Sequence, residues 1–201
     1  MDIYLLLALI GLAAFTLKSR DQGRRINLLG SYLGKYDIEK RMANLTDGYL
    51  RALGESDPER QAQIWNLFNT AEIELSEQFN RFVAEFSKVD ALQARVSKFA
   101  FAIPYADKLF PVATFDLRKA LSIHAQGISQ AASNRFNQSP KNKAFTMSAE
   151  LFLMQHTCHW FCRSKTLASA RMLARHQTAY AQVMDSVSPQ TRQAYSDLIG
   201  S

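Results

Sequence analysis

The apolar positions of the chain follow two different patterns. Residues 3–17 (IYLLLALIGLAAFTL) form one apolar run in which Thr16 is the only polar residue. After this run, apolar residues recur at steps of three and four, the spacing of amphipathic helices. No sustained period-2 alternation occurs, and no hairpin turn lies between apolar runs, so no strand is expected. The pattern therefore predicts an all-α fold.

The apolar run predicts a membrane anchor. A span of about 20 residues is usual for a hydrocarbon core of about 30 Å, so this run is short. Basic side chains that reach back to the interface can make up the difference. Four membrane-flanking basic residues follow the run: Lys18, Arg20, Arg24 and Arg25. Asp2 precedes it, and this asymmetry predicts a single-pass protein of the cell (inner) membrane with its N-terminus outside and the bulk of the chain cytoplasmic.

Two alternatives to an anchor follow from the same run. A cleavable signal peptide needs a basic region at its start and a small-residue cleavage site, and neither is evident before Lys18. A run of this length also fits the buried helix of a soluble α-helical domain. The membrane anchor is the favoured interpretation, with lipid contacting residues 3–17.

The remaining pattern predicts a bundle of about four long antiparallel helices. Residues 21–55 are expected to form one or two helices broken near Gly30 and Gly34. Ser56-Asp57-Pro58-Glu59 is a typical helix start, and its apolar stripe extends to about Ile103, before Pro104. Later elements are a helix over 112–136, a solvated polar turn at 137–143, a long helix from about 146 to 187, and a short helix after Ser188-Pro189. We divide the chain into an anchor (1–18), a juxtamembrane helical segment (19–56) and a bundle domain (57–201).

One aromatic stretch, residues 99–117, lacks helical periodicity. Pro104 and Pro111 lie within it, and its aromatic residues are the candidate interaction set: Phe99, Phe101, Tyr105, Phe110 and Phe115. A buried crossover between helices is the favoured interpretation. The alternative is a loop in the lipid headgroup region beside the anchor, where Tyr105 and Lys108 would be well placed.

Charge is distributed unevenly along the chain. The net charge is +6, and residues 111–201 hold ten basic and four acidic residues. We expect the glutamates of the 57–90 helix (Glu72, Glu74, Glu77 and Glu85) to form an exposed face that could lie beside a basic helix at 163–175. The basic residues do not cluster on one face with aromatic side chains, so nucleic acid is not an expected partner.

The segment HTCHWFC concentrates ligand-type residues at His156, Cys158, His159 and Cys162. Side chains on one helix diverge, so a tetrahedral metal site would need further ligands from another helix, such as His124 or His176. The Cys-x-x-Cys-His motif of haem attachment is absent. The favoured interpretation is buried helix, because the segment is apolar on every side and free cysteine is commonly buried. A metal or haem-type site is the alternative.

No catalytic constellation accompanies these features: the sequence has no phosphate-binding glycine loop, nucleophile elbow or paired di-iron motif. No enzyme activity and no cofactor are therefore predicted. We expect a membrane-anchored scaffold or accessory component that binds a protein partner or a second copy of itself. The alternatives are a metal- or haem-binding sensor or enzyme built on the His156 cluster, and a soluble helical domain whose first helix lies in the core.

Overall fold

The computed structural model describes residues 3–200, which are mostly helical (77%). This part of the chain contains nine α-helices, which pack as a bundle, and two short strands. The helices are α1 (Ile3–Leu33), α2 (Ile38–Gly54), α3 (Pro58–Phe86), α4 (Ala106–Leu109), α5 (Leu117–Ala132), α6 (Pro140–Cys162), α7 (Lys165–His176), α8 (Tyr180–Ser186) and α9 (Pro189–Ile199). The strands are β1 (Arg95–Ser97) and β2 (Thr114–Asp116), and a 3-10 turn covers Pro111–Ala113.

Helix α1 has two different halves. Residues 3–20 are exposed throughout, whereas Asp21, Gln22, Arg25 and Leu29 are buried against the bundle. The alternative of a first helix lying in the core is therefore wrong for the apolar run, since none of its most apolar window is buried. Of the breaks predicted near Gly30 and Gly34, the one near Gly34 is confirmed, because α1 ends at Leu33, whereas the one near Gly30 is wrong, because α1 is continuous there. Asp2, which entered the topology prediction, lies outside the described residues.

Helices α2 and α3 form a hairpin. The predicted start of α3 is confirmed: the Asp57 carboxylate accepts hydrogen bonds from the backbone N–H of Glu59 (2.9 Å) and Arg60 (3.3 Å), satisfying donors that the helix leaves free. The predicted extension to Ile103 is wrong, because α3 ends at Phe86. Downstream, the Asp90 carboxylate accepts from Leu92 N–H (2.9 Å), a local turn that competes with helix.

The chain after this turn forms a small antiparallel ladder that the sequence analysis did not expect. Val96 pairs with Phe115 at the centre of the two strands, and both side chains are buried. Strands of three residues are too short to show a period-2 pattern, which is why the sequence did not predict them. The helix predicted over 112–136 is correspondingly shorter, and α5 begins after Asp116, whose carboxylate accepts from Arg118 N–H (2.9 Å).

Helix α6 is the central element of the bundle, as its apolar circumference predicts. It packs against α1, α2, α5, α7 and α8. The prediction of a single helix from about 146 to 187 is wrong at its start and in its continuity, however. Its N-terminus lies earlier, where Ser139 caps and Pro140 begins α6 within the supposed polar turn. Its C-terminal part is divided, because Ser164 caps a new helix and Gln177 adopts a left-handed conformation (φ 52°) that ends it.

The main apolar core lies between α3, α5 and α6. The α3 stripe predicted from the sequence supplies Leu75, Phe79, Phe82 and Phe86, all fully buried. The short C-terminal helix is also confirmed as α9, capped by the Ser188 hydroxyl, which accepts from Thr191 N–H at 3.2 Å. The segment between β1 and β2 lies outside this core, next to the end of the exposed half of α1.

Candidate functional site

A buried ion-pair cluster lies where the exposed half of α1 meets the bundle. Arg25 Nη2 lies 2.8 Å from Asp107 Oδ1, and its Nε lies 3.4 Å from Asp21 Oδ2. Arg24 Nη2 pairs with Asp21 (3.1 Å) and Asp107 (3.5 Å). The backbone N–H of Tyr105 donates to Asp21 Oδ2 at 3.3 Å. These contacts attach α1 directly to α4 and to the segment before it.

This cluster changes the roles of the four basic residues expected beside the membrane. Lys18 and Arg20 are exposed, as a flanking role requires. Arg25 is only 6% exposed. Its Nη1 donates to the backbone carbonyl of Arg95 at 2.9 Å, and its guanidinium lies 5.3 Å from the centre of the Phe161 ring. The structure thus uses Arg25, and in part Arg24, to hold α1 to the bundle.

The aromatic segment is divided between core and surface. Phe115 is buried with its ring 5.0 Å from that of Trp160 in an edge-to-face contact. Phe99 and Phe110 make a similar contact at 5.3 Å, and Phe110 remains half exposed. Phe101 is 73% exposed. The favoured interpretation of a buried crossover therefore describes Phe115 but not the residues around Phe101 and Phe110.

The four cluster residues of α6 point to two different environments. His156 is buried towards α7 and α8, where its Nε2 lies 3.0 Å from the Ser169 hydroxyl and its ring lies 4.6 Å from that of Tyr180. Cys158 is buried on another side, with its sulfur 4.0 Å from that of Met154. Within residues 3–200 no group of three or more His, Cys, Asp or Glu side chains is placed to hold a metal ion.

Burial also determines the ionisation of these groups. Burial, with a smaller effect of Lys165, lowers the pKa of His156 to about 3, and burial raises the pKa of the Cys162 thiol to about 11. Near neutral pH the imidazole is therefore neutral and the thiol protonated, whereas a thiol binds metal as the thiolate. A metal or haem site at this cluster stays a prediction, and elemental analysis with an absorption spectrum of the purified protein would test it.

Cys158, His159 and Cys162 line an apolar groove between α1, α2 and α6. Its cavity volume is about 180 Å³, and its walls include Ile26 and Leu33 of α1. Burial, followed by the charge of Arg171, lowers the pKa of His159 to about 4, so this side chain is also neutral near pH 7. Apart from Glu39 at its wall, the groove therefore presents an uncharged surface.

The two histidines considered as additional ligands have other partners. His124 is fully buried, and its Nε2 lies 2.9 Å from the Thr157 hydroxyl. The Thr157 hydroxyl donates to the Leu153 carbonyl (2.9 Å) and lies 2.8 Å from the Tyr195 hydroxyl. His176 Nε2 lies 2.8 Å from Gln155 Oε1. His124, Thr157 and Tyr195 thus form a polar connection inside the core, between α5, α6 and α9.

A second buried polar group joins α2, α3 and α6, and the sequence pattern does not indicate it. Glu72 was expected on an exposed face, but it is only 3% exposed. It forms an ion pair with Lys143 and accepts a hydrogen bond from the Tyr49 hydroxyl. Lys143, expected in a solvated turn, also donates to Asn69 Oδ1 at 2.9 Å. A cavity beside this pair, about 230 Å³ in volume, is lined by Trp65 and several amide side chains.

A third buried carboxylate, Glu150, lies against the start of α9. Its Oε1 accepts from the backbone N–H of Ser188 at 3.0 Å. Burial raises the pKa of this carboxyl, although the bonds from Ser188 and Thr191 oppose that shift. Gly127 leaves space for the carboxylate, because a Cβ atom there would clash with Glu150 Oε2 and with the Thr191 hydroxyl.

The other three glutamates of the expected face pair with the turn between α1 and α2, with α2, or within α3 itself. Glu85 bonds Lys35 at 2.8 Å, Glu74 bonds Arg41 at 2.5 Å, and Glu77 lies 3.7 Å from Arg81. In the described part of the chain, the ion pairs of these glutamates do not involve residues 163–175, the basic segment expected beside them. Helix α7 packs on α6 and α8 instead.

The structure thus brings together an exposed apolar helix, a buried ion-pair cluster at its base and an aromatic segment held beside it. Comparison of the chain with protein-family models, with curated proteins and with solved structures found no match.

Proposed function

We propose that the protein is a single-pass membrane protein whose helical bundle acts as a scaffold or accessory component on the cytoplasmic side. The observation that carries the proposal is the division of α1: one continuous helix is apolar and exposed over residues 3–17 and packs one side against the bundle from Asp21 onward. Contiguous apolar surface of this extent is unfavourable in water, whereas lipid tails would cover it.

The ion-pair cluster at the base of α1 supports a rigid connection between anchor and bundle. Arg25 joins α1 to Asp107 of α4 and to the carbonyl of Arg95 on β1. A bundle attached in this way would keep a constant orientation to the membrane, and tethering would raise the local concentration of whatever binds it.

Exposed apolar side chains on the α2–α3 hairpin support a role in protein binding. Leu50 is 69% and Leu67 is 74% exposed. Leu53, three residues after Leu50, is 37% exposed. A protein partner or a second copy of the chain would cover such residues. The proposal assigns the bundle a passive role, which is to position its partner at the membrane.

Membrane fractionation of the full chain tests the anchor. We expect the protein in the membrane pellet after alkaline carbonate washing, with an intact mass that includes residues 1–18. A reporter at the C-terminus is expected to be active only in its cytoplasmic form. Full-length protein in the supernatant without detergent would contradict the anchor, and a mature protein lacking the apolar run would show a cleaved signal sequence instead.

Affinity purification in mild detergent tests the scaffold role. The wild-type chain is expected to retain a defined protein partner or to form an oligomer, and Leu67→Asp to reduce that association without altering the fold, because Leu67 is exposed. Asn66→Asp, which adds the same charge at the neighbouring exposed position, is the matched control. A wild-type chain that purifies alone and monomeric from native membranes would contradict this role while leaving the anchor intact.

A further inference from the structure

The segment between β1 and β2 presents an exposed apolar surface. We call this the apolar loop surface and define it by Phe101, Ile103, Leu109, Phe110 and Val112. Val112 is 95%, Phe101 73% and Leu109 64% exposed. Large apolar side chains this exposed and this close in sequence need a covering partner in the functional state.

The backbone of this segment is held in place, so the exposure does not come from a free loop. The Ala100 carbonyl accepts from Thr166 N–H (3.1 Å) and from its hydroxyl (2.8 Å). Lys98 N–H donates to the Ala113 carbonyl at 2.9 Å, and Trp160 Nε1 donates to the Ser97 carbonyl at 2.8 Å. The apolar side chains are therefore presented from a supported scaffold.

Along the axis of α1, the apolar loop surface lies beside the point where the apolar run ends. Lys18, the first residue after that run, lines the same small cleft as Phe101 and Ile103. Further along, Tyr105 N–H bonds Asp21 and Asp107 pairs with Arg25. Because a helix rises about 1.5 Å per residue, Asp21 is only about 6 Å beyond the end of the run at Leu17.

The charge of the segment suits a lipid interface. Asp107 is the only acidic residue between positions 98 and 115, and it is buried against Arg25. Lys108 is exposed, with its Nζ 5.3 Å from the centre of the Tyr105 ring. A cleft next to it is lined by Arg24, Arg95 and Lys108 together with Asp90 and Asp107. The exposed face thus combines apolar and aromatic side chains with basic ones, the composition found at membrane interfaces.

We propose that the apolar loop surface inserts into the headgroup region of the bilayer that holds α1, as a second contact with the membrane. This inference rests on the proposed anchor. The occupant is lipid because α1 and the segment are joined by buried ion pairs, so a membrane around residues 3–17 brings its headgroups to Phe101 and Ile103, beside Lys18. Two separate contacts would also limit rotation of the bundle about the axis of α1.

Site-directed fluorescence on the full chain tests this proposal. Val112→Cys is labelled with a polarity-sensitive fluorophore, and the protein is reconstituted into phosphatidylcholine–phosphatidylglycerol vesicles. We expect the label at Val112→Cys to emit at shorter wavelength in vesicles than in detergent-free buffer and to be quenched by nitroxide-labelled lipid. Iodide is expected to quench it several-fold less than it quenches the control label. Gln63→Cys, also exposed on α3 but not among the proposed interaction residues, is the control and is expected to be quenched by iodide alone. The parent chain measures background labelling of Cys158 and Cys162.

A third label separates this inference from the anchor itself. Leu12→Cys lies inside the apolar run, and its quenching by nitroxide lipid reports whether α1 is in the bilayer. Quenching at Leu12→Cys with an iodide-accessible label at Val112→Cys would overturn the inference and leave the anchor standing. Loss of lipid quenching at both positions would overturn the anchor. A label at Val112→Cys that neither quencher reaches would show that protein covers the surface, which also overturns the inference.

Discussion

Gly127 and Glu150 show how a single position in the core accommodates a buried carboxylate. Gly127 lies on α5 opposite the Glu150 carboxylate of α6, and any side chain there would enter the space of Oε2. The carboxylate in turn accepts the N–H of Ser188 at the start of α9. The position of α9 therefore depends on a glycine of α5.

We expect Gly127→Ala to destabilise the protein by about 1–3 kcal/mol, because the added methyl group overpacks a site bounded by Glu150 and the Thr191 hydroxyl. The measurement is chemical unfolding followed by circular dichroism. Gly23→Ala is the control: no atom lies within 4 Å of its added Cβ, and alanine favours helix by about 0.5–1 kcal/mol. Equal stability of the two variants would contradict the packing described for Gly127.

The buried histidines predict a loss of stability in mild acid. Burial lowers the pKa of His124 and of His156 to about 3, against about 6.5 in an unfolded chain. Between these values the unfolded state binds protons and the folded state does not. Stability is therefore full above about pH 6.5 and falls as the pH decreases, by up to about 1.4 kcal/mol per pH unit for each histidine.

The free energy of unfolding measured at pH 7.0 and at pH 5.0 gives this effect. We expect His124→Gln to reduce the difference in unfolding free energy between the two pH values. Glu150 acts in the opposite direction, because its raised pKa means that stability from its neutral form is lost as the pH rises. A wild-type stability that does not decrease from pH 7.0 to pH 5.0 would contradict the buried, neutral state of the histidines.

At the scale of elements, the connection between α1 and α4 depends on charges removed from water. Arg25 and Asp107 are both almost completely buried, and their shortest N–O distance is 2.8 Å. Asp21 is the second acceptor for Arg25. Such a pair adds little net stability compared with apolar residues, but removing one partner leaves an uncompensated charge.

We expect Arg25→Met to destabilise the protein by about 3–5 kcal/mol, because it leaves Asp107 buried beside Arg24 alone. The double variant Arg25→Met with Asp107→Leu is expected to recover a large part of that loss. Thermal unfolding of Arg25→Met, Asp107→Leu and the double variant in detergent provides the comparison. Additive effects of the two substitutions would show that the residues do not interact in the folded protein.

For the whole molecule, the apolar half of α1 and the bundle are structurally separate although one helix joins them. All residues from 3 to 20 are exposed, whereas the bundle has its own core around Leu75, Phe79 and Phe82. Changes to the first half are therefore expected to alter membrane binding without altering the fold of the bundle.

Leu9→Arg tests this separation. An arginine at the centre of a spanning helix is unfavourable by about 2.5–3.5 kcal/mol on insertion scales, and the run is already short. We expect a smaller fraction of the protein in carbonate-washed membranes and an unchanged unfolding temperature of the bundle. Leu67→Arg, with the same chemical change at an exposed position of α3, should remain in the membrane fraction. Loss of bundle stability in Leu9→Arg would contradict the separation.

The sequence by itself determined the features that depend on neighbouring residues. The apolar run of α1, the break before Gly34, the cap at Asp57 and the all-round apolarity of α6 can each be recognised within a few helical turns, because helix formation and capping are local. Strands β1 and β2 and the end of α3 at Phe86 were not predicted, since pairing between Val96 and Phe115 depends on packing rather than on a local pattern.

Only the tertiary structure decided which polar residues are buried and with what. Glu72 and Lys143 look like surface residues in the sequence, and Arg25 looks like a membrane-flanking cation, yet all three are buried because partners distant in the chain neutralise them. The two His and two Cys of α6 are close in sequence, yet His156 faces α7 and α8 whereas Cys158, His159 and Cys162 line the groove with α1 and α2. Whether a charged or ligand-type side chain is buried, and what it contacts, depends on its neighbours in space. Those neighbours come together only when the helices pack.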